Sequence, residues 1–327
     1  MSRYKSLALL LILSLQGLPG HSAGLVGEPI RLANGVGDGD RFMGVELLGS
    51  LSLKGDPALA ELSGLAWDED EQTLLAVSDR GWLLWLKPHF SEGHLSQVEL
   101  TASYPLRDRR EAPLRSGWRD AEGLTLEQSA NGIQGDTRLI VSFERRHRIE
   151  SYRPDGRWLA TLPLPARLRE TGYRPKSNRS LEAVTLHPQH GLVTGPESPP
   201  DGRPPYLANY LINAAGQVWE YAFKEPDGAL VALEALPNGD LILLERAYTS
   251  IFSPWVISLT RIRATDLATG STMDTETIAR FDSGQGWLMQ NMEGLTRHRE
   301  MRFFMVSDDG SLPWAQTQLL YFRIVSE

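Results

Sequence analysis

The chain has 327 residues, with 41 acidic against 33 basic side chains for a net charge of −8, and it contains no cysteine. An acidic chain of this kind argues against nucleic acid as a partner, because phosphate backbones are held by clustered lysine and arginine. The absence of cysteine excludes both disulfides and lipid attachment through an N-terminal thiol, so stability must come from core area or from a bound ion.

Arg3 and Lys5 precede an apolar run over residues 7–15, followed by Pro19-Gly20 and small residues as far as Ala23. This is the pattern of a secretory signal peptide, and it assigns residues 1–23 to a leader. The run is too short to span a bilayer. No later stretch reaches spanning length, so residues 24–327 are expected to be one exported domain, periplasmic or secreted, without a membrane span. Without Arg3 and Lys5 the balance is 31 basic against 41 acidic residues, a net charge of −10.

Residues 24–40 are Gly-rich and weakly patterned, and read as an arm. Residues 42–53 alternate enough to be a strand with no hairpin partner of its own. A strand–turn–strand unit then recurs, marked by Gly64, Gly123, Ala183, Ala235 and Gly294 at intervals of 59, 60, 52 and 59 residues. The fourth copy, LEALPNGDLILLERAY over residues 233–248, shows the plan most plainly: a short strand, an Asn238-Gly239 turn and a second strand ending at Glu245-Arg246. Short strands at this period predict an all-β propeller with one blade per repeat, hence five blades, six being the alternative count. The last repeat supplies three strands where the others supply four, so the unpartnered strand over residues 42–53 is expected to complete that blade and close the ring.

Equivalent positions of the innermost strands meet around a propeller's central channel. Glu122, Glu182, Glu234 and Glu293 stand at the start of the repeated hairpin, with Ser63 in their place in the first copy. Asp79, Glu144, Glu197, Glu245 and Asp308 stand at the end of its second strand. Carboxylates gathered this closely repel one another unless something positive intervenes. A hard divalent cation would do so, and calcium takes six to eight oxygen ligands in a wide pocket. Glu122, Glu182, Glu234, Glu293, Asp79 and Asp308 are the expected ligands. Arginine would also serve: Arg145 and Arg246 follow acids and Arg179 precedes one, which suits the holding of a phosphate ester. Glu144 and Glu245 are then the expected general bases. The opposing reading is that these acids and arginines tie neighbouring blades together and do no chemistry.

Histidine shows no zinc-ligand spacing, and neither a G-x-S-x-G elbow nor a P-loop occurs. His147 and His298 are outside candidates for acid–base work, while His187 and His190 flank a turn and are expected to be exposed.

The series SGLAWD…VSD, EGLTLE…SFER, NRSLEAVTL, ALPNGDLILLERAY and NMEGLTRHREMRFFMVSDDG resembles the phytase-like β-propeller family with esterase-like activity, over residues 46–325. The resemblance implies an exported propeller hydrolysing phosphate or other esters of small molecules with a metal ion. It brings no defined catalytic set. A non-catalytic binding propeller and a calcium-dependent, lactonase-like enzyme remain the alternatives, and the oligomeric state is open.

Overall fold

The computed structural model describes residues 24–170, 181–199, 206–248, 253–269, 272–310, 312 and 314–325. Its strands form five antiparallel-based sheets, each with its first strand innermost. Blade 1 is Leu62–Asp68, Thr73–Ser78, Trp82–Ser91 and His94–Pro105, and blade 2 is Ala121–Glu127, Arg138–Phe143, Arg148–Tyr152 and Trp158–Leu162. Blade 3 is Leu181–His187, Gly191–Pro196, Ala208–Asn213 and Val218–Ala222; blade 4 is Gly228–Ala235, Leu241–Ala247, Val256–Ile262 and Glu276–Asp282. Blade 5 takes Asn291–Arg299, Arg302–Asp308 and Thr317–Ile324 from the end of the chain, and its fourth strand is Val45–Leu53 from the beginning. The five-bladed ring and its closure by the early strand are therefore as the repeats predicted.

The N-terminal arm reinforces that closure. Gly24–Leu25 adds to the outer strand of blade 1, and Gly27–Pro29 adds to Val45–Leu53, so one short segment clips the last blade to the first. Residues 1–23, expected to be a signal peptide, lie outside the described residues.

The core lies between blades, where alternating side chains of facing sheets interdigitate. The largest cluster joins blades 4 and 5 through Ile257, Phe281, Trp287, Phe303 and Phe322. Trp219 is fully buried in blade 3, and its indole N–H donates to Leu267 O at 2.9 Å. Close packing at the centre explains the repeated glycines: a Cβ on Gly64 would lie 2.6 Å from Glu122 O and 2.8 Å from Leu124 N of the next blade. Gly64→Ala should therefore cost about 1–3 kcal/mol, as overpacking does where the obstacle is backbone. Urea unfolding checks this, and an unchanged midpoint would mean that the inner strands can part without loss.

Candidate functional site

In every blade the innermost strand bulges at the same place. Register breaks between Leu62 and Gly64, Leu181 and Ala183, Leu230 and Ala232, and Met292 and Gly294, with the matching irregularity in blade 2 opposite Ser142. A bulge re-aims the extra side chain. The bulged residues are Ser63, Glu122, Glu182, Val231 and Glu293. Across from them, the residues following the paired Ser78, Phe143, Pro196, Glu245 and Ser307 are Asp79, Glu144, Glu197, Arg246 and Asp308. One end of the channel thus carries seven carboxylates, one serine, one valine and one arginine.

Blade 4 differs from the sequence expectation. The Leu-Glu-Ala of residues 233–235 copies that of residues 181–183, but pairing places Val231-Ala232 at the equivalent position, three residues earlier. Glu234 consequently lies toward the other end of the channel. Glu245 pairs with Leu230 and Ser258, one residue out of phase with the ring, and so points the other way. Its carboxylate accepts from Lys224 N–H at 3.3 Å, and burial pushes it up to about 7. Arg246, not Glu245, is the ring residue.

Arg246 occupies the gap that blade 4 leaves in the acids. Its guanidinium donates to Glu197 Oε1 of blade 3 at 2.8 Å and to Glu293 Oε1 of blade 5 at 2.5 Å, and it also reaches Asn291 Oδ1. Burial alone would lower its pKa, but the carboxylates of Glu293, Glu197 and Glu182 hold it above the ordinary value. On the other flank Ser63 Oγ lies 2.5 Å from Asp79 Oδ1 and 3.2 Å from Glu293 Oε2. Asn291 Nδ2 links Glu293 Oε1 at 2.7 Å to Asp308 Oδ2 at 3.2 Å.

The remaining acids fall into two groups. Asp79, Asp120 and Glu122 bring ligand oxygens within 4.8 Å of one another, and so do Glu144, Glu182 and Glu197. Burial first, and then like charge, raises Asp79, Glu122 and Glu182 well above the usual carboxylate range. Asp308 is pushed up to about 7 by burial and by Glu293. Glu197 Oε2 is buried with no hydrogen-bond partner among the described residues. Arg145 is half-exposed and pairs with Asp120 at 2.8 Å, while Arg179 lies outside the described residues. Asp120 is the member that the repeat pattern missed. It stands two positions before Glu122, where blades 1 and 5 have Glu61 and Asn291, so a second polar column was there to be read.

The profile of a protein family described as phytase-like, esterase-like activity of phytase, matches residues 57–311. The chain belongs to this family. No curated protein sequence gave a significant match. Solved structures similar to this phytase-like propeller include a duf4221-family member from Bacteroides vulgatus at 8% identity, with TM-score 0.44, covering 86% of this chain and 98% of that one. A gluconolactonase from Xanthomonas campestris is similar at 12% identity and TM-score 0.39, over 93% and 99% of the two chains. A catalytically inactive virginiamycin B lyase from Staphylococcus aureus, with quinupristin, is similar at 10% identity and TM-score 0.38, over 95% and 86%.

The channel of this phytase-like chain does not run through. Below the acids, Leu65, Leu124, Val184, Leu233 and Leu295 close on Gly64, Gly123, Ala183, Ala232 and Gly294, leaving about 10 Å³, room for about one water molecule. Beyond that plug the opposite mouth opens into a cavity of about 340 Å³, lined by Glu69, Glu234 and Glu300 among others and crossed by blade-to-blade ties. Ala235 N–H donates to Thr185 Oγ1 at 3.1 Å and Trp67 N–H to Thr296 Oγ1 at 3.2 Å. Glu234 fills the same role in blade 4, accepting from the Arg297 N–H, and burial pushes it up to about 8.

The folded chain therefore keeps the Glu234 proton from its ordinary value of 4.5 up to about 8, where the unfolded chain has released it. Stability from this group is full below that window and is lost as pH rises through it. Glu234→Gln should flatten that part of the profile, comparing urea midpoints near about pH 5 and about pH 9. A slope identical to wild type would remove Glu234 from the account.

His147, His187 and His298 sit in buried or half-buried places. Burial lowers His147 and His298 to about 4, and His298 Nδ1 meets Tyr321 Oη at 2.8 Å within an aromatic cluster. His187, expected to be exposed, is buried: its Nδ1 accepts from Gln189 and His190 N–H, which makes Nε2 the donor to Gly239 O at 2.8 Å.

Proposed function

We propose that this phytase-like propeller is an exported, metal-dependent hydrolase of small anionic esters, phosphoesters foremost, working at the acidic end of its channel. The observation that carries the reading is the pair of carboxylate triads, Asp79–Asp120–Glu122 and Glu144–Glu182–Glu197, each converging within 4.8 Å, with Arg145 on Asp120 and Arg246 on Glu197 as the guanidinium groups among them. Oxygen-only donors of this kind suit a hard cation, and the unpartnered Glu197 Oε2 offers a buried lone pair to one. Either triad would hold calcium, which when bound polarises an ester oxygen and acidifies water. Export rests on the leader-like residues 1–23; no helix among the described residues is long and apolar enough to cross a membrane.

The chain's own groups then have distinct tasks. Arg246 is fixed by Glu197 and Glu293, so its fork presents charge at a set place without a search over rotamers. Asp308, held near neutral by burial and Glu293, can take a proton at Oδ2, the oxygen that Asn291 steadies from 3.2 Å. Arg145 closes the rim over Asp120. The apolar plug keeps water from draining to the far mouth.

The deciding experiment pairs the thermal midpoint with turnover of a generic phosphomonoester, in chelator and in added calcium. The reading requires both to rise with calcium. Turnover of a neutral carboxylic ester instead would favour the lactonase-like alternative. One observation favours a structural ring: Arg246 joins blades 3, 4 and 5 by itself. No response to calcium in either measurement would leave that alternative standing.

A further inference from the structure

The linker between blades 1 and 2 inverts the charge of the chain. Residues 107–119 carry five arginines against Asp108 and Glu111, in a protein of net charge −8. This segment leaves His94–Pro105 and enters Ala121–Glu127, so it lies at the end of the channel where the inner strands begin, and it ends at Arg119, the residue before Asp120. Together with blade 2 it walls a cavity of about 390 Å³ lined by Arg109, Arg110, Arg115, Arg148, Trp118 and Trp158. That volume suits a small organic molecule.

Two acids, Asp108 and Glu150, also line this cavity, and both are already engaged. Asp108 Oδ1 accepts from Arg110 N–H at 2.8 Å and Ala112 N–H at 3.0 Å, which shapes the turn. Glu150 pairs with Arg148 Nε at 2.9 Å and accepts from Tyr152 Oη at 2.6 Å and Thr161 Oγ1 at 3.2 Å. Arg148 is buried, held also by the Trp118 and Arg146 carbonyls, and forms a rigid wall. By contrast Arg109, Arg110 and Arg115 have no carboxylate partner among the described residues. Three guanidinium groups in one cavity with no carboxylate to neutralise them repel each other and favour an anion.

The tryptophans add a second requirement. Both indoles line the cavity and already take cations on their rings, Arg109 over Trp158 at 4.9 Å and Arg146 and Arg148 over Trp118 at 4.2 and 5.4 Å, so a ligand ring would pack beside or in place of those guanidinium groups. Trp118 is 44% exposed, an unusual position for so large an apolar face.

We infer that this cavity binds an organic anion whose charged group sits beside a flat ring, the charge held by Arg109, Arg110 and Arg115 and the ring packed on Trp118 and Trp158. Stacking and ion pairing act on different halves of such a molecule, so neither half alone satisfies the site. The inference does not depend on a metal in the acidic ring.

Titration calorimetry with 1-naphthyl phosphate, in chelator, tests this. Inorganic phosphate and 1-naphthol serve as the separate halves. The wild-type protein should bind the whole probe about tenfold or more tighter than either half, and Arg109→Ala/Arg115→Ala should lose about tenfold or more of that affinity. Both arginines are exposed, so the thermal midpoint of the double variant should match wild type. Glu182→Gln should bind the probe as wild type does. Undetectable binding, equal affinity in the double variant, or 1-naphthol binding as tightly as the ester would overturn the inference. Loss of binding in Glu182→Gln alone would place the probe in the ring and overturn it equally.

Discussion

Arg246→Ala is expected to be the most destabilising single substitution in the ring, at about 3–5 kcal/mol in metal-free protein. That is the scale on which removing one partner from a buried ion pair strands the other. Here two carboxylates are stranded. Glu197 and Glu293 each lose a charged donor at 2.8 and 2.5 Å, and among the described residues Glu293 keeps Asn291 and Ser63 beside it. Both acids would then meet Glu182 and Asp308 with nothing positive between them, and must take up protons or move apart. Blades 3 and 5 would lose their tie across blade 4, which contributes Val231 and no acid at the bulge. Urea unfolding in chelator measures the loss. If the cost is under about 1 kcal/mol, the guanidinium is a rim charge and its bonds are of the weak surface kind.

Calcium should recover part of that loss in the Arg246→Ala protein, because a cation in the Glu144–Glu182–Glu197 triad would neutralise some of the same repulsion. Recovery separates two roles that the wild-type structure superimposes on one residue. If Arg246 only ties blades, no ion in the neighbouring triad can replace its reach from Glu197 to Glu293.

The ring of blades was legible because it depends on period and turn chemistry, which a single sequence carries. Repeated Gly or Ala at the bulge, Asn238-Gly239 at a turn and the early apolar strand that needed a partner all express backbone requirements. The site was legible in four blades for the same reason: the acids sit at fixed offsets from those small residues. Blade 4 broke the rule. Its true bulge carries Val231, so no polar residue announces it, and the Leu-Glu-Ala copy three residues later drew the register with it. With Ala232 as marker the third and fourth intervals become 49 and 62 residues, and the regularity that favoured Ala235 disappears. A slip of three positions exchanged Glu234 for Val231, and a further slip of one exchanged Glu245 for Arg246. Pairing partners decide such cases, and a lone sequence does not print them. Asp120 was missed for a different reason, since its column is polar in blades 1, 2 and 5 without being acidic throughout.

Those corrections sharpen what the ring can do. With Glu234 and Glu245 elsewhere, the acids are no longer spread evenly around the axis. They crowd on blades 1, 2, 3 and 5 and face one fixed arginine on blade 4. An uneven distribution of this kind leaves two separate concentrations of negative charge, which is a better match to localised cations than to a symmetrical belt of interblade bonds.

Glu182→Gln distinguishes these uses by a crossed result. In chelator the substitution removes one of three carboxylates whose oxygens converge within 4.8 Å, and it keeps the shape and the backbone carbonyl that accepts from Ser142 Oγ at 2.8 Å. Less like charge is buried, so the metal-free variant should be as stable as wild type or more so. In calcium the order should reverse. Loss of one carboxylate ligand should weaken the ion by about a hundredfold or more, at least the upper range seen when mere supporting partners are removed. At an ion concentration about a hundred times the wild-type dissociation constant, wild type gains about 2.7 kcal/mol and the variant almost none. Phosphoester turnover should fall with the ion. A structural ring predicts the opposite pattern, with Glu182→Gln destabilised equally in both conditions, because a bond between blades is lost whether or not calcium is present. Thermal midpoints of two proteins in two buffers therefore separate chemistry from scaffolding at this site, and the sign of the chelator result alone is enough to choose between them.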